Sequence, residues 1–337
     1  MSRETDTAAS SAVASDDGGA VAQGRMGLAE ALLLRYGMVG VLLVLLVVAV
    51  ILYPGFLAPA NLRDLLNQNS AVGIIAVGMT LILLTGGFDL SVGATFALSG
   101  TVFAGVSLSQ GVLVGTLAGL GAGLAAGLVN GVLVALLNVN PFVATLGSSS
   151  AISGLAFIYS NSAPFIVEET EFRNLGIARV AGIPLPVVIL VVTFVVGWFL
   201  VHRTTYGRSI FAVGGNREAA RLSGMPVAWL VMSTYVITGL LAGLAGMISA
   251  SRLGVGQADV GSTIALDVIA VVVIGGTSLL GGEGAIWRSV VGLLILATLT
   301  NVFFSLNVDQ NWQLIAKGTI IVGAVALDAY LRRRETQ

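Results

Sequence analysis

Pro184-Leu-Pro-Val-Val-Ile-Leu-Val-Val-Thr-Phe-Val-Val-Gly-Trp-Phe-Leu200 carries no charge. Soon after it comes Arg203-Thr-Thr-Tyr-Gly-Arg-Ser-Ile-Phe-Ala-Val-Gly-Gly-Asn-Arg-Glu-Ala-Ala-Arg-Leu-Ser-Gly-Met-Pro226, which holds Arg203, Arg208, Arg217, Glu218 and Arg221 before the next apolar run opens. An uncharged run of this length suits a membrane span, which needs about 20 apolar residues. The polar stretch then has to lie outside the bilayer. Within it, Asn216 is placed to cap a short helix and Glu218 suits the helix's positive end. Gly224 and Pro226 stop that helix after roughly two turns.

Working outward, similar apolar runs recur along most of the chain. The composition is 56% hydrophobic and 10% charged over 337 residues, with a mean hydropathy of +0.97. Soluble domains carry about 25% charged residues, so the fold class expected is all-α, a polytopic transmembrane helical bundle. Ten spans are expected, over residues 38–56, 69–84, 92–108, 113–137, 142–159, 184–200, 228–251, 266–280, 289–306 and 312–331. Residues 1–27 are rich in Ser, Ala, Asp and Gly and read as a disordered tail. The domain division expected is a cytoplasmic tail over 1–30 and a membrane domain over 31–334. The tail lacks the layout of a cleavable signal peptide, and the first span is expected to remain uncleaved despite Ala58-Pro59-Ala60 at its end.

Charge sets the orientation. With both termini cytoplasmic, Arg3, Arg25, Arg35, Arg203, Arg208, Arg217, Arg221, Arg288 and Arg332 to Arg334 lie inside, against Arg63, Arg173, Arg179 and Arg252 outside. The positive-inside rule favours that arrangement. It puts residues 203–226 in the cytoplasm and the acidic 161–183 segment outside.

Several function classes drop out. There are no cysteines and one histidine, His202, so thiolate and imidazole metal sites are not expected and no metal residues are assigned. No basic patch with interleaved aromatics points to nucleic acid. No Gly-x-x-x-x-Gly-Lys-Ser/Thr loop, Gly-x-Ser-x-Gly elbow or His-Glu-x-x-His helix is present, so neither ATP binding by a phosphate loop nor hydrolytic chemistry is expected. Charged residues at membrane depth are few: Asp89 reads as a cap for the third span, while Asp267 and Lys317 sit where they can snorkel or pair. An ion-coupled transporter would bury a set of carboxylates or bases mid-span, and none stands out. Uncharged polar groups suited to exchanging hydrogen bonds with a polyol are Asn67, Gln68, Asn69 and Ser70 in the second span, Asn130 in the fourth, and Thr145 to Ser150, including Ser148, in the fifth. The same groups serve equally as glue between helices. Thr85-Gly-Gly-Phe-Asp-Leu-Ser-Val-Gly93 and Ile274-Gly-Gly-Thr-Ser-Leu-Leu-Gly-Gly282 each place a Gly-Gly pair at a span end, a weak internal similarity of a kind seen in transporters.

Glu218-Ala219-Ala220 followed by Gly224 resembles the Glu-Ala-Ala-x-x-x-Gly coupling motif of ATP-binding-cassette importer permeases. The surrounding Tyr206 to Gly224 is similar to the ribose-type permease subfamily at nearly every position. So are Gly78 to Gly93, Asn140-Pro-Phe-Val-Ala-Thr-Leu-Gly147, Gly275 to Gly284 and Asn307 to Gln313, in order along the chain. Phe88 and the Gly284-Ala-Ile-Trp-Arg288 segment are bulkier than that pattern. The resemblance implies a coupling set of Gly207, Arg208, Gly214, Gly215, Asn216, Arg217, Glu218, Ala219, Ala220, Arg221 and Gly224. It marks Gly86, Gly87, Asp89, Leu90, Ser91, Gly275, Gly276, Gly281 and Gly282 as family signature. It also implies the partners: a second permease subunit, identical or related, two cytoplasmic ATP-binding subunits and an extracytoplasmic solute-binding protein. ATP and Mg would sit on the ATPase, with no cofactor on this chain, in a bacterial cytoplasmic membrane. A monosaccharide is the cargo expected. A nucleoside, an autoinducer-2-like furanose or a branched-chain amino acid are the alternatives within the family, and an ion-coupled secondary transporter the alternative outside it.

Overall fold

The computed structural model describes residues 28–335, so the proposed tail lies almost wholly outside the described residues. The chain divides into a unit over Met1–Gly37, described only from Leu28 as the start of a helix, and a compact unit over Met38–Gln337. The helices run α1 (Leu28–Leu52), α2 (Pro59–Leu84), α3 (Val92–Gln110), α4 (Val112–Gly131), α5 (Pro141–Ser160), α6 (Thr170–Ile177) and α7 (Leu185–Arg203). They continue as α8 (Thr205–Gly215), α9 (Arg217–Leu222), α10 (Val227–Leu253), α11 (Ile264–Ile274), α12 (Ile286–Ser305) and α13 (Gln310–Glu335). A π-helical turn, Val132–Leu136, extends α4. Seven helices are long and apolar enough to cross a bilayer: α2, α3, α4 with its π turn, α5, α7, α10 and α12.

The core is built around α2, every residue of which from Ser70 to Leu84 is buried. Its neighbours are α7, α10, α11 and α12. Between lipid-compatible helices no hydrophobic force drives contact, so close backbone packing must supply the attraction. The sequence provides it on α4, where Gly115, Gly119, Gly123, Gly127 and Gly131 recur every fourth residue and are all buried. There α4 crosses α10 at Gly239, whose missing Cβ leaves room for Gly127 and the Gly123 carbonyl. The outward faces are apolar instead, as at Val191, Val192, Val195, Val196 and Phe199 of α7.

Several expectations change. The second span was expected from Asn69, but α2 begins ten residues earlier, at Pro59 in its first turn. Asn69 and Ser70 bond within this helix: Asn69 Nδ2 donates to the Leu65 carbonyl at 2.8 Å and Ser70 Oγ to that of Asn67 at 2.8 Å. The eighth span was expected to fill residues 266–280. Instead α11 covers 11 residues, about 16 Å at 1.5 Å per residue, and Gly254–Thr263 before it is not helical. The polar 161–183 connection holds α6 and three two-residue strands, β1 (Phe165–Ile166), β2 (Arg179–Val180) and β3 (Ile183–Pro184). β2 pairs with β3, and β1 pairs antiparallel with β4 (Val255–Gly256) after α10. Asp267 and Lys317 do pair, Nζ to Oδ1 at 3.0 Å, with both side chains mostly buried.

The two Gly-Gly stretches share a closure. At the end of α2, Gly86 takes φ +74° and the Gly87 N–H reaches back to the Ile82 carbonyl. At the end of α11, Gly276 takes φ +82° and the Thr277 N–H reaches back to Val272. Both are Schellman endings, which require a left-handed residue that glycine supplies without strain.

Candidate functional site

The 203–226 segment forms two helices. Thr204 begins α8: its Oγ1 accepts from the Gly207 N–H at 3.2 Å and donates to the Leu200 carbonyl at 2.6 Å, tying α8 to the end of α7. The spacing of Gly207, Ile210 and Val213 buries one face of α8. Ile210 packs among Val77, Leu81 and Leu84 of α2 and Ile286 of α12. The hydroxyls of Tyr206 and Ser233 meet at 2.7 Å, joining α8 to α10.

α9 follows at once, and its boundaries match those read from the sequence. Asn216 Oδ1 accepts from the Ala219 N–H at 2.9 Å, and Gly224 closes the end at φ +78° as the Met225 N–H returns to the Ala220 carbonyl. Ala220 is buried beside Val134, Val213, Val231 and Tyr235. The other faces are open. Arg221 makes two bonds to Glu218, Nε to Oε2 at 3.1 Å and Nη2 to Oε1 at 2.7 Å, with the side chains 70% and 63% exposed. Arg221 thereby holds the Glu218 carboxyl below its usual range. Leu222, Trp229 and Leu280 are exposed apolar side chains nearby in the fold, Leu222 to 78% and Leu280 to 77%. A capped helix with a fixed ion pair and an apolar rim offers a surface for another protein.

Behind α9 three glycine turns converge. The Gly282 N–H donates to the Leu84 carbonyl at 3.0 Å, joining the turn after α11 to the end of α2. The end of α8 fits against both: a Cβ on Gly214 would strike the Leu84 carbonyl and Gly282 N. A Cβ on Gly281 would meet Gly86 and the Gly214 carbonyl, and one on Gly282 would meet Gly215. Backbone thus touches backbone where the end of α8 meets the turns after α2 and α11, with no flexible side chain between. Arg288 Nη1 braces the same region by donating to the Gly276 carbonyl at 3.1 Å, with its guanidinium 5.7 Å from the Trp287 ring. That contact gives the bulky 284–288 segment a packing role.

The 86–91 signature loop is stitched to three helices. Tyr235 Oη on α10 donates to the Phe88 carbonyl at 3.0 Å and accepts from its N–H at 3.3 Å. Thr145 Oγ1 on α5 accepts from the Leu90 N–H at 3.1 Å, and Asn130 Nδ2 on α4 donates to Ser91 Oγ at 2.6 Å. Asp89 does not cap α3. Ser91 is the N-cap residue, and Asp89 Oδ1 accepts from both its N–H and its Oγ at 2.7 Å, a local turn formed two residues on. The candidate path residues therefore separate. Asn130 and Thr145 are buried and hold the loop, and Ser148 bonds back to the Thr145 carbonyl. Gln68 and Asn69 line a 410 Å³ cavity with Tyr53, Asn61, Asp64 and Asn301. Asn67 turns toward α10, where its carbonyl accepts from Arg252 Nη1 at 3.0 Å.

Burial pushes the Asp89 carboxyl up to about 6 from 3.8, against the lowering effect of its Ser91 bonds. The folded chain therefore holds a proton there that the unfolded chain releases. Its contribution favours folding below about pH 4 and is lost as pH rises toward and through about 6, on the order of 3 kcal/mol in all. Asp89→Asn keeps an acceptor oxygen for Ser91 and cannot ionise. Thermal unfolding in detergent is expected to show a wild-type midpoint that falls from pH 5 to 7.5 and a variant midpoint that falls less. Parallel profiles would remove Asp89 as the source.

Among the described residues no group of three or more His, Asp or Glu is placed to hold a metal ion. Residues 61–325 match the family model described as branched-chain amino acid transport system / permease component. The chain belongs to that family. Within this permease family it is 43% identical to the ribose import permease protein RbsC of Bacillus subtilis over 85% of this chain and 90% of that one. It is 42% identical to the Escherichia coli K12 protein of the same name over 85% and 91%. It is 38% identical to the L-arabinose transport system permease protein AraH of E. coli K12 over 89% and 92%. No solved structure matches. The ribose-type resemblance of the motifs therefore stands, and the chain is a transporter permease component of the membrane, not an enzyme.

Proposed function

We propose that this chain is the membrane-spanning subunit of an ATP-driven importer that carries a monosaccharide, pentose or hexose, into the cytoplasm. The observation that carries the coupling role is the α8–α9 pair: α9 is a capped and exposed helix, and the end of α8 directly before it sits against the glycine turns that end α2 and α11. Glu218, Arg217, Arg221 and Arg208 face outward there and would meet an ATP-binding subunit on which ATP and Mg are held. A second permease subunit and an extracytoplasmic solute-binding protein complete the importer, in a cytoplasmic membrane, with ten spans and both termini inside. The ribose and L-arabinose permeases among its relatives support a sugar over the branched-chain amino acid of the family description.

The test is reconstitution with the ATPase and binding protein from the same source, followed by uptake of D-ribose, L-arabinose, D-galactose and L-leucine. ATP-dependent accumulation of a sugar is expected. Leucine uptake alone, or sugar uptake indifferent to ATP, would overturn the proposal.

A further inference from the structure

We infer that the cleft between α3, α5 and the extended chain before α11 is a resting site for one neutral monosaccharide inside the translocation path, an inference that rests on the sugar-importer reading.

The first observation is backbone. Gly254–Thr263 runs beside α3, with Gly256 set against the Gly100 carbonyl and Gly261 against that of Gly93. That descent follows α3 for about 10 Å at 1.5 Å per residue, and α3 is a span-length apolar helix. Non-helical chain at membrane depth is tolerated only where it is buried in protein or lines water. Here Ala258, Gly261 and Ala265 are buried while Asp259 and Ser262 are exposed. The unburied side is not packed against this chain and opens on a cavity. Broken helices of this kind form the substrate sites of several transporter folds.

A cavity of 260 Å³ lies on that side, lined by Ser149, Ser153 and Phe157 of α5 together with Asp259 and Ser262. That is room for several waters, suited to a single sugar ring. The α5 hydroxyls divide by direction. Thr145, Ser148 and Ser150 bond back to carbonyls of their own helix. Ser149 and Ser153, four residues apart and so on one face, make no side-chain hydrogen bond among the described residues, and they are the two α5 serines that line the cavity. Asp259 forms no ion pair among the described residues, unlike Asp267.

The chemistry selects a ligand class. A carboxylate accepts from two adjacent hydroxyls, serine hydroxyls both donate and accept, and the Phe157 ring offers an apolar face to sugar C–H groups. No Lys, Arg or His lines the cavity. A phosphate or an amino-acid carboxylate would meet Asp259 with no cation to offset it, so a neutral polyol fits and an anion does not.

The chain has no cysteine, which makes single-cysteine labelling direct. Ser149→Cys and Ser153→Cys, each close to isosteric, are exposed to a trimethylammonium-ethyl thiosulfonate reagent in membranes. The control is Val195→Cys, on the apolar outer face of α7 and 59% exposed. Labelling at both serine positions at least about tenfold faster than at Val195 is expected; equal rates would overturn the water-lined cleft whatever the cargo. In the reconstituted importer, Ser153→Val and Asp259→Asn are then expected to lower uptake of the sugar carried by wild type at least about tenfold, with ATP hydrolysis retained. Unchanged uptake would overturn the site. A wild-type importer that moves no sugar would sink the functional reading instead, and the labelling rates would still be read independently.

Discussion

Gly214→Val is expected to leave little folded protein and no measurable uptake. The β-carbon alone would occupy the space held by the Leu84 carbonyl and Gly282 N, and valine adds two methyls to it. Overpacking costs about 1–3 kcal/mol. Forcing Gly282 away from Leu84 also breaks their 3.0 Å bond and strands the buried Leu84 carbonyl, about 1–3 kcal/mol more. Against a total stability of about 5–15 kcal/mol, that sum is large. Gly215→Ala provides the contrast, because nothing lies within 4 Å of the β-carbon it would add. It is expected to stay within about 0.5 kcal/mol of wild type. Size-exclusion profile, unfolding midpoint and uptake separate the two variants. A Gly214→Val protein that folds and transports normally would refute the close approach, and equal damage from both would refute its location.

Glu218→Lys is expected to fold, insert and fail to transport. The substitution removes both bonds from Arg221 and sets an ammonium one turn from that guanidinium. It also puts positive charge at the positive end of α9. Exposed pairs are worth only about 0–1 kcal/mol, so membrane yield and unfolding midpoint should barely move. The loss falls on docking, where the charge presented to the ATPase is reversed. Because Arg221 holds the Glu218 carboxyl low, the wild-type group is ionised throughout the neutral range and pH cannot mimic the change. ATP-driven uptake is expected to fall more than about tenfold, a difference of ~1.4 kcal/mol. Glu218→Gln, which keeps acceptor and shape, should fall less. Wild-type uptake by the lysine variant would end the coupling role of this residue.

Most helices were legible because uncharged runs of span length leave few alternatives. The misreadings share a cause. Residues 59–68 look like a polar connection, yet they form the first turns of α2, where Arg63 Nε donates to the Pro59 carbonyl, a bond hydropathy does not register. α11 ends early at a turn whose need for Gly276 at φ +82° is visible only once the chain is folded. α8 escaped notice because a short amphipathic helix ending in Gly214 and Gly215 reads as loop. α9 was readable residue by residue, since Asn216 and Gly224 act locally. The contact of α8 with the turns was not, because Leu84, Gly214 and Gly282 meet only in three dimensions. On α5 the hydroxyl-rich patch shows in the sequence, but about 100° of rotation per residue separates Thr145 and Ser148, buried, from Ser149 and Ser153, which line the cavity.

The unbroken burial of α2 from Ser70 to Leu84 has a mechanical corollary. A rod gripped on every side cannot tilt or roll without opening voids all along its length, and protein interiors tolerate few. In the proposed importer, alternation between outward- and inward-open states would be a motion of the surrounding helices about α2, with α2 as the stator of the subunit.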